Sequence, residues 1–160
     1  LARVDLLHGP AECLPFPDDT FDFVTYLEAL EFMDNPHITL QEAFRVVRPG
    51  GILLTTLRQN VRTMPGRIWS RARMLTTLEK VGFEAVTFED WQEEYLKVWA
   101  RKPGSSAWTG YQPLEAMLRC PTCEQVAFNY MPPTFICENC KTQIPVGVDG
   151  VVEVSKVLRC

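Results

Sequence analysis

The sequence predicts an α/β fold that is followed by a small β module at the carboxyl end. Segments with strand-type composition alternate with segments of helical periodicity, and glycine or proline marks their ends. Four of the six cysteines form two close pairs near the carboxyl end. With 160 residues, 46% of them hydrophobic and 22% charged, the chain is long enough to bury a core. We therefore expect a sheet layered with helices and one further small unit.

Each element of the α/β part has its own signal in the sequence. Aromatic and β-branched residues indicate strands, and apolar residues spaced three or four apart indicate amphipathic helices. Pro36 suits the first turn of a helix, and Gly82 suits the end of one. The predicted elements are a strand at 3–7, a strand at 21–26, a helix at 35–47, a strand at 52–57, a helix at 70–81 and strands at 84–88 and 95–100.

Composition changes to that of a linker at residues 102–106, which read Lys-Pro-Gly-Ser-Ser. We therefore predict an α/β domain at 1–103, a linker at 104–117 and a second domain at 118–160. That second domain contains both cysteine pairs.

The two cysteine pairs predict a zinc ribbon. Cys120 and Cys123 form one Cys-x-x-Cys turn, Cys137 and Cys140 form the other, and thirteen residues separate them. Such turns direct four thiolates to one metal, and residues 126–130 and 134–136 can pair as strands between them. Two disulfides or a mononuclear iron site are the alternatives. Four sulfurs leave no open coordination position, so we expect this zinc to stabilise the fold.

Charge and the other cysteines limit the class of protein. A net charge of −4 and a pI near 5.2 argue against a broad nucleic-acid-binding surface. No apolar stretch approaches the ~18 residues of a membrane span. Cys13 and Cys160 are left outside the metal pattern, and we expect both to be free thiols. Free thiols suit a reducing compartment, so the sequence predicts a cytoplasmic protein.

Three blocks of sequence, at 9–22, 25–36 and 42–51, resemble S-adenosylmethionine-dependent methyltransferases of the Rossmann-like class. The resemblance is closest to the ubiquinone and menaquinone biosynthesis branch, and it covers roughly residues 4–102. It implies a partial Rossmann-like methyltransferase sheet, S-adenosylmethionine as the cofactor and methyl transfer to an acceptor, most simply a small molecule.

The same resemblance implies the cofactor-binding residues. Ligands of open α/β sheets lie at the carboxyl ends of the strands, where the loop at 9–16 and the residues after Val24 would meet. The backbone of Ala11 and Glu12, with Cys13 beside them, would border the adenine. The other side of the cofactor, its methionine end, would lie beside Thr25, Tyr26 and Leu27. Cys13 also suits a small buried apolar position. No catalytic acid or base is assigned.

Three departures from the family pattern alter this expectation. Pro10 stands where relatives commonly have Asp, and Phe32 stands where they often have His. The glycine-rich loop and the ribose-binding acidic residue are missing. We therefore expect the chain to be the carboxyl-terminal part of a longer methyltransferase, inactive alone. The alternative is a methyltransferase-like protein without activity whose ribbon recruits a partner.

The carboxyl-terminal module resembles the zinc ribbon of small methyltransferase-activator proteins. The resemblance lies in residues 118–123, the second cysteine pair and the run at 143–152. It implies that the ribbon acts as a partner or stabiliser of a methyltransferase in the same chain. The alternative is that the ribbon is a purely structural cap on the α/β domain.

Five arginines that run from the end of the third strand into the second helix, here called the arginine segment, suggest an anionic acceptor. RNA phosphates would make the protein an RNA methyltransferase, a possibility that the acidic pI disfavours, and a solvated helix face is the plainer alternative. The segment consists of Arg58, Arg62, Arg67, Arg71 and Arg73.

Overall fold

The computed structural model describes residues 4–59 and 66–158. They form two compact units, one at Asp18–Thr109 and the other made of the described parts of Leu1–Pro17 and Gly110–Cys160. We call them the sheet unit and the ribbon unit. The elements in chain order are β1 (Leu7–His8), β2 (Phe21–Tyr26), α1 (Pro36–Val46), β3 (Val47–Arg58), α2 (Arg71–Val81), β4 (Glu84–Gln92), β5 (Tyr95–Arg101), α3 (Leu114–Met117), β6 (Phe128–Met131), β7 (Thr134–Cys137), β8 (Gln143–Pro145) and β9 (Val152–Glu153).

The sheet unit contains a mixed four-stranded sheet in the order β2-β3-β5-β4. β2 runs parallel to β3, and β5 runs antiparallel to both of its neighbours. Tyr26 is level with Thr55, and Arg58 is level with Tyr95. Because β2 and β3 are parallel, their carboxyl ends lie at one edge, the edge at which such sheets bind ligands.

Both helices of the sheet unit begin at capping side chains. Oδ1 of Asn35 accepts a hydrogen bond from the backbone of Ile38 at 3.3 Å, and Oγ of Ser70 accepts one from the backbone of Arg73 at 3.1 Å. These contacts satisfy backbone donors that would otherwise lack partners at the helix start. The helices pack on a core that includes the following buried residues: Leu40, Ala43, Leu53, Met74, Leu78, Phe83 and Val98.

The predicted order of helices and strands in the sheet unit is confirmed, but β3 begins earlier than expected. The sequence predicted a helix that ends at Val47 and a strand at 52–57, whereas β3 runs from Val47 to Arg58. Gly50 adopts a φ of 80°, and its N–H donates to the carbonyl of Lys102 at 2.9 Å. This pairing lets the strand continue through a turn-like sequence.

The ribbon unit contains the antiparallel sheet β6-β7-β8 and the parallel pair β1-β9. A cis peptide bond joins Pro132 to Pro133 in the turn between β6 and β7. The core of this unit includes the following residues: Leu114, Leu118, Phe128, Phe135, Ile144, Val152 and Val154.

The beginning of the chain differs from the sequence prediction. The strand predicted at 3–7 is the shorter β1, which pairs with β9 at Leu7↔Val152 and His8↔Glu153. Leu7 and Phe16 pack against the ribbon core, and the N–H of Arg119 donates to the carbonyl of Pro15 at 2.9 Å. By its contacts this segment therefore groups with the ribbon unit. The boundaries at 1–103, 104–117 and 118–160 stay a prediction from composition.

None of the helices in the described ranges has both the length and the apolar character needed to cross a membrane.

Candidate functional site

The four cysteines of the ribbon unit come together as the spacing predicted. The sulfurs of Cys120, Cys123, Cys137 and Cys140 all lie within 4.8 Å of one another. Sγ of Cys120 is 3.5 Å from that of Cys140, and Sγ of Cys123 is 3.6 Å from that of Cys137. All four are free thiols, which argues against the alternative of two disulfides.

The two cysteine turns have matching backbone geometry. The N–H of Glu124 donates to the carbonyl of Cys120 at 2.8 Å, and the N–H of Lys141 donates to that of Cys137 at 2.9 Å. Glu124 has a φ of 61° and Lys141 a φ of 64°, a left-handed conformation in which non-glycine residues are uncommon. Two turns of the same shape thus present their sulfurs to one point.

The cysteine cluster fits a tetrahedral metal. A zinc ion about 2.3 Å from each of four tetrahedral sulfurs requires sulfur–sulfur distances of about 3.8 Å. Two of the pairs, at 3.5 and 3.6 Å, need to open only slightly. Cys120 and Cys137 are fully buried, which suits a structural site.

Neighbouring groups shift the thiol pKa values in opposite directions. A hydrogen bond to Thr142, whose Oγ1 lies 3.1 Å from the sulfur, lowers the pKa of Cys140 to about 6. The pKa of Cys123 is also lowered, chiefly by a hydrogen bond from Asn139. Burial raises the pKa of Cys137 to about 11. A positive metal ion would favour the thiolate form at all four positions.

The oxidation state of Cys13 differs from the sequence prediction. It is disulfide-bonded, so the expectation of a free thiol at Cys13 is wrong. Cys160, the other cysteine outside the metal pattern, lies beyond the described residues.

The loop residues predicted to border the adenine lie in the ribbon unit. Ala11, Glu12 and Cys13 form a turn in which the N–H of Cys13 donates to the carbonyl of Pro10 at 3.4 Å. All three are half-buried. Their role in cofactor binding stays a prediction.

The residues predicted beside the methionine end lie in the sheet unit, at the carboxyl end of β2. Thr25 and Tyr26 are the last two residues of the strand, and Leu27 follows with 44% of its surface exposed. The carbonyl of Tyr26 accepts a hydrogen bond from Oγ1 of Thr55 at 3.0 Å. Two of the three predicted side chains, those of Thr25 and Leu27, are exposed at this edge.

A buried polar cluster lies at the same edge. Oε1 of Glu31 accepts a hydrogen bond from the hydroxyl of Tyr95 at 2.8 Å. Burial, that hydrogen bond and the charge of Glu31 raise the pKa of Tyr95 to about 12, so the hydroxyl stays protonated at neutral pH. Glu31 is 7% exposed and Arg58 is 2% exposed. Both side chains pack closely on Gly66. A Cβ added to Gly66 would lie 2.9 Å from Nη1 of Arg58 and 3.2 Å from Cγ of Glu31.

A small cavity of about 20 Å³ adjoins this cluster, enough space for roughly one water molecule. Glu31 and Arg58 supply polar atoms to its wall. The apolar part of the wall consists of Leu30, Leu57, Trp69 and Met74.

The described members of the arginine segment have protein contacts. Arg67 donates hydrogen bonds from its guanidinium to the carbonyl of Met33 and from its backbone to the carbonyl of Glu31. The guanidinium carbon of Arg71 lies 6.0 Å from the centre of the Phe88 ring, and that of Arg73 lies 4.7 Å from the Trp69 ring. Arg62 lies outside the described residues.

Sequence reasoning missed Glu31 and Tyr95. They are 64 residues apart. Glu31 lies in the block at 25–36 but was given no role, and Tyr95 belongs to no recognisable motif. Only the pairing of β3 with β5, which sets Tyr95 opposite Arg58, brings them to one edge.

Comparison with known proteins supports the resemblance. A family described as "Methyltransferase domain" matches residues 1–55. Demethylmenaquinone methyltransferase of Geobacillus sp. (strain WCH70) is 49% identical over 51 residues, which are 32% of this chain and 22% of that protein. A fatty-acid O-methyltransferase of Mycolicibacterium smegmatis is 34% identical over 89 residues, which are 56% of this chain and 32% of that protein. The chain thus spans about a fifth to a third of the length of these relatives.

Solved structures show the same fold. A SAM-dependent methyltransferase of Thermotoga maritima superposes with a TM-score of 0.53 at 23% identity, over 62% of this chain and 64% of that one. The complex between the Haloferax volcanii Trm112 methyltransferase activator and a protein described as a methyltransferase gives a TM-score of 0.50 at 20% identity, over 59% and 60%. The chain therefore has the α/β fold of these structures, and residues 1–55 match part of the methyltransferase domain family.

The residues that the structure describes do not by themselves complete an S-adenosylmethionine site. Within 4–59 and 66–158, no strand leads through a glycine-rich turn into a helix, the element that receives the charged part of nucleotide cofactors in such folds. What the described chain supplies is the carboxyl edge of β2 and β3 with its polar cluster.

Proposed function

We propose that the protein is an S-adenosylmethionine-dependent methyltransferase for a small-molecule acceptor. The observation that carries this proposal is the carboxyl edge of the parallel pair β2-β3, because it combines a methyltransferase-type segment with a buried polar cluster. The named relatives methylate demethylmenaquinone and fatty acids, and they make a small organic acceptor the first choice here as well. A net charge of −4 disfavours RNA.

We assign cofactor contacts to the residues that the resemblance implied. Ala11, Glu12 and Cys13 would border the adenine, and Thr25, Tyr26 and Leu27 would lie beside the methionine end. The position of Thr25, Tyr26 and Leu27 at the carboxyl end of β2 supports the second part of this assignment.

We further propose that the ribbon unit binds one zinc ion and stabilises the methyltransferase segment within the same chain. Cys120, Cys123, Cys137 and Cys140 would be the ligands, and their sulfur–sulfur distances support this. The pairing of β1 with β9 supports the stabilising role, because the strand that leads into the loop at 9–16 is held by a ribbon strand. Recruitment of a separate protein partner is the alternative role.

The cysteines give opposite indications of the cellular location of the protein. Four free thiols favour a reducing compartment such as the cytoplasm, whereas the disulfide at Cys13 does not. Thiol-specific labelling of Cys13 in freshly lysed cells tests a cytoplasmic location, which requires Cys13 to be reduced in the cell.

Calorimetry with S-adenosylhomocysteine tests the function. We expect the natural gene product to bind this ligand and chain 1–160 to bind it at least about tenfold more weakly, because the described chain lacks the glycine-rich element. Equal affinity would contradict this account of the site. No binding to the natural gene product would favour the alternative of a methyltransferase-like protein without activity.

A matched pair of variants tests the assigned edge. Leu27 and Ile52 are 44% and 38% exposed apolar side chains of the same sheet unit, and only Leu27 lies at the carboxyl edge. Leu27→Asp should weaken S-adenosylhomocysteine binding about tenfold or more, because it adds a desolvated charge beside the ligand. Ile52→Asp should leave the affinity unchanged. The same effect in both variants would show that the edge is not the binding site.

A further inference from the structure

Thr142 contacts both cysteines of the second cysteine turn. Its Oγ1 lies 3.1 Å from Sγ of Cys140, and its carbonyl accepts a hydrogen bond from the N–H of Cys137 at 2.8 Å. The backbone bond holds Thr142 against the turn, and the residue is half-buried. The hydroxyl of Thr142 is therefore held beside one of the four sulfurs that form the cysteine cluster.

The first cysteine turn has the same backbone contact but a different side chain. Gln125 stands two residues after Cys123, the position that corresponds to Thr142 in the second turn. Its carbonyl accepts a hydrogen bond from the N–H of Cys120 at 2.9 Å. The shape of the turn therefore does not require a hydroxyl at this position. The contact with Cys140 comes from the side chain of Thr142 itself.

A second hydroxyl extends this contact to the other turn. Oγ1 of Thr122, a residue of the first cysteine turn, lies 2.8 Å from Oγ1 of Thr142. We call the chain of contacts from Thr122 through Thr142 to the sulfur of Cys140 the hydroxyl relay. Each hydroxyl has one proton to donate and can also accept. The direction of donation along the relay therefore depends on the sulfur at its end.

Metal binding at the cysteine cluster fixes that direction. A cysteine that binds a metal is a thiolate, which has no proton and can only accept a hydrogen bond. The hydroxyl of Thr142 must then donate to the sulfur of Cys140, so its oxygen is free to accept the proton of Thr122. Hydrogen bonds to a charged acceptor are stronger than those between neutral groups. The relay is therefore suited to the metal-bound state.

We propose that Thr142 is a positioning residue of the zinc site, which holds the thiolate of Cys140 through its hydroxyl and is itself oriented by Thr122. This role rests on the zinc site proposed above and deepens it, because it names residues outside the ligand set that determine how firmly the metal is held. Groups that form hydrogen bonds to metal ligands orient those ligands, and their removal typically weakens metal binding about 10–100-fold.

Competition for zinc between chain 1–160 and a chelator of known affinity tests this role. Thr142→Val keeps the branched shape and removes the hydroxyl, so the zinc affinity should fall about tenfold or more. Thr142→Ser keeps the hydroxyl and should retain the affinity of the unaltered chain. Thr122→Val should cause a smaller loss, because Thr142 can still donate to the sulfur. Thr134→Val is the matched control, since Thr134 lies in β7 outside the cysteine cluster, and it should leave the affinity unchanged.

Cobalt in place of zinc separates loss of the hydrogen bond from a general loss of stability. Co²⁺ bound by thiolates absorbs light through charge transfer from sulfur to metal, and a hydrogen bond to the sulfur makes its electrons harder to remove. The charge-transfer band of Thr142→Val should therefore move to longer wavelength, and Thr142→Ser should restore its position. A variant that is merely less stable would lose intensity without a change in wavelength.

Several outcomes would overturn the role of Thr142. They are an unchanged zinc affinity or an unchanged band position in Thr142→Val, a loss in Thr134→Val as large as that in Thr142→Val, and a loss in Thr142→Ser as large as that in Thr142→Val. An unaltered chain that binds no zinc would refute the zinc site and the role of Thr142 together. Zinc binding that does not depend on Thr142 would refute this role alone and leave the zinc site standing.

Discussion

Nε of Arg48 donates a hydrogen bond to Oδ1 of Asp22 at 2.5 Å, with side chains that are only 9% and 19% exposed. The same carboxylate oxygen accepts a hydrogen bond from the N–H of Thr109 at 3.1 Å. Nη1 of Arg48 also donates to the carbonyl of Ser106 at 3.1 Å. This ion pair therefore joins the beginning of β2, the beginning of β3 and the segment that follows β5.

Removing one partner of this ion pair should destabilise the sheet unit strongly. Asp22→Ala leaves the Arg48 guanidinium buried without its carboxylate, and we expect a loss of about 3 kcal/mol in the free energy of unfolding. Asp18→Ala is the matched control, because Asp18 accepts a hydrogen bond from Arg45 at 2.9 Å but is 68% exposed. That change should cost less than about 1 kcal/mol. Urea denaturation measures both, and equal losses would contradict the structural role of Asp22.

Gly82 ends α2 at a position where a side chain has no room. Its φ is 120°, and an added Cβ would lie 2.8 Å from Cζ of Phe44. Gly82→Ala should lower the stability by about 1–3 kcal/mol, through both backbone strain and overpacking. Gly110 has a φ of 66° with nothing within 4 Å of an added Cβ, so Gly110→Ala should show the backbone cost alone. Thermal unfolding compares the two, and a loss in Gly110→Ala as large as that in Gly82→Ala would refute the steric argument.

The helices and central strands could be predicted from the sequence because their signals are local. α1 begins after Asn35 and α2 after Ser70, and both residues act through hydrogen bonds to the backbone three positions ahead. The limits of β2, Phe21–Tyr26, agree with the prediction because Pro17 to Thr20 provide a local turn signal before it. The cysteine cluster could be predicted for the same reason, because the Cys-x-x-Cys spacing is also a local signal.

The parts that could not be predicted depend on contacts between distant residues. Nothing local marks Leu7 as the pairing partner of Val152, and this pairing is what groups residues 4–17 with the ribbon unit. Glu31 and Tyr95 meet only because β5 pairs with β3 in one particular register. The disulfide at Cys13 was equally hidden, because an isolated cysteine carries no information about its partner.

The ribbon should contain about one zinc ion per chain, because its four clustered sulfurs form a closed tetrahedral site for that metal. Elemental analysis of protein purified without chelator measures the content. Cys137→Ser, at a fully buried ligand position, should abolish the zinc and lower the stability of the ribbon unit. Cys13→Ser should retain the zinc, because Cys13 lies outside the cysteine cluster. Less than roughly half an equivalent of metal in the unaltered protein would contradict the zinc assignment.

Without metal, the ribbon cysteines should differ sharply in their reaction with iodoacetamide, because only the thiolate reacts. The lowered pKa of Cys140, about 6, means that its thiol is mostly deprotonated above that pH and mostly protonated below it. Its alkylation should therefore reach half its maximal rate near pH 6. The raised pKa of Cys137, about 11, keeps that thiol protonated and unreactive at neutral pH.

Both alkylation rates are measured in one sample by mass spectrometry of the alkylated peptides. The measurement is repeated over a pH series after a chelator has removed the metal. Thr142→Val is the informative variant, because it removes the hydroxyl 3.1 Å from the sulfur of Cys140 and should move the midpoint of that cysteine upward. The midpoint of Cys137 should not change in this variant. A common midpoint near pH 8.5 for all four cysteines, the pKa of an unperturbed thiol, would contradict this prediction. It would show that the ribbon unit has unfolded without its metal and that the local pKa shifts do not survive chelation.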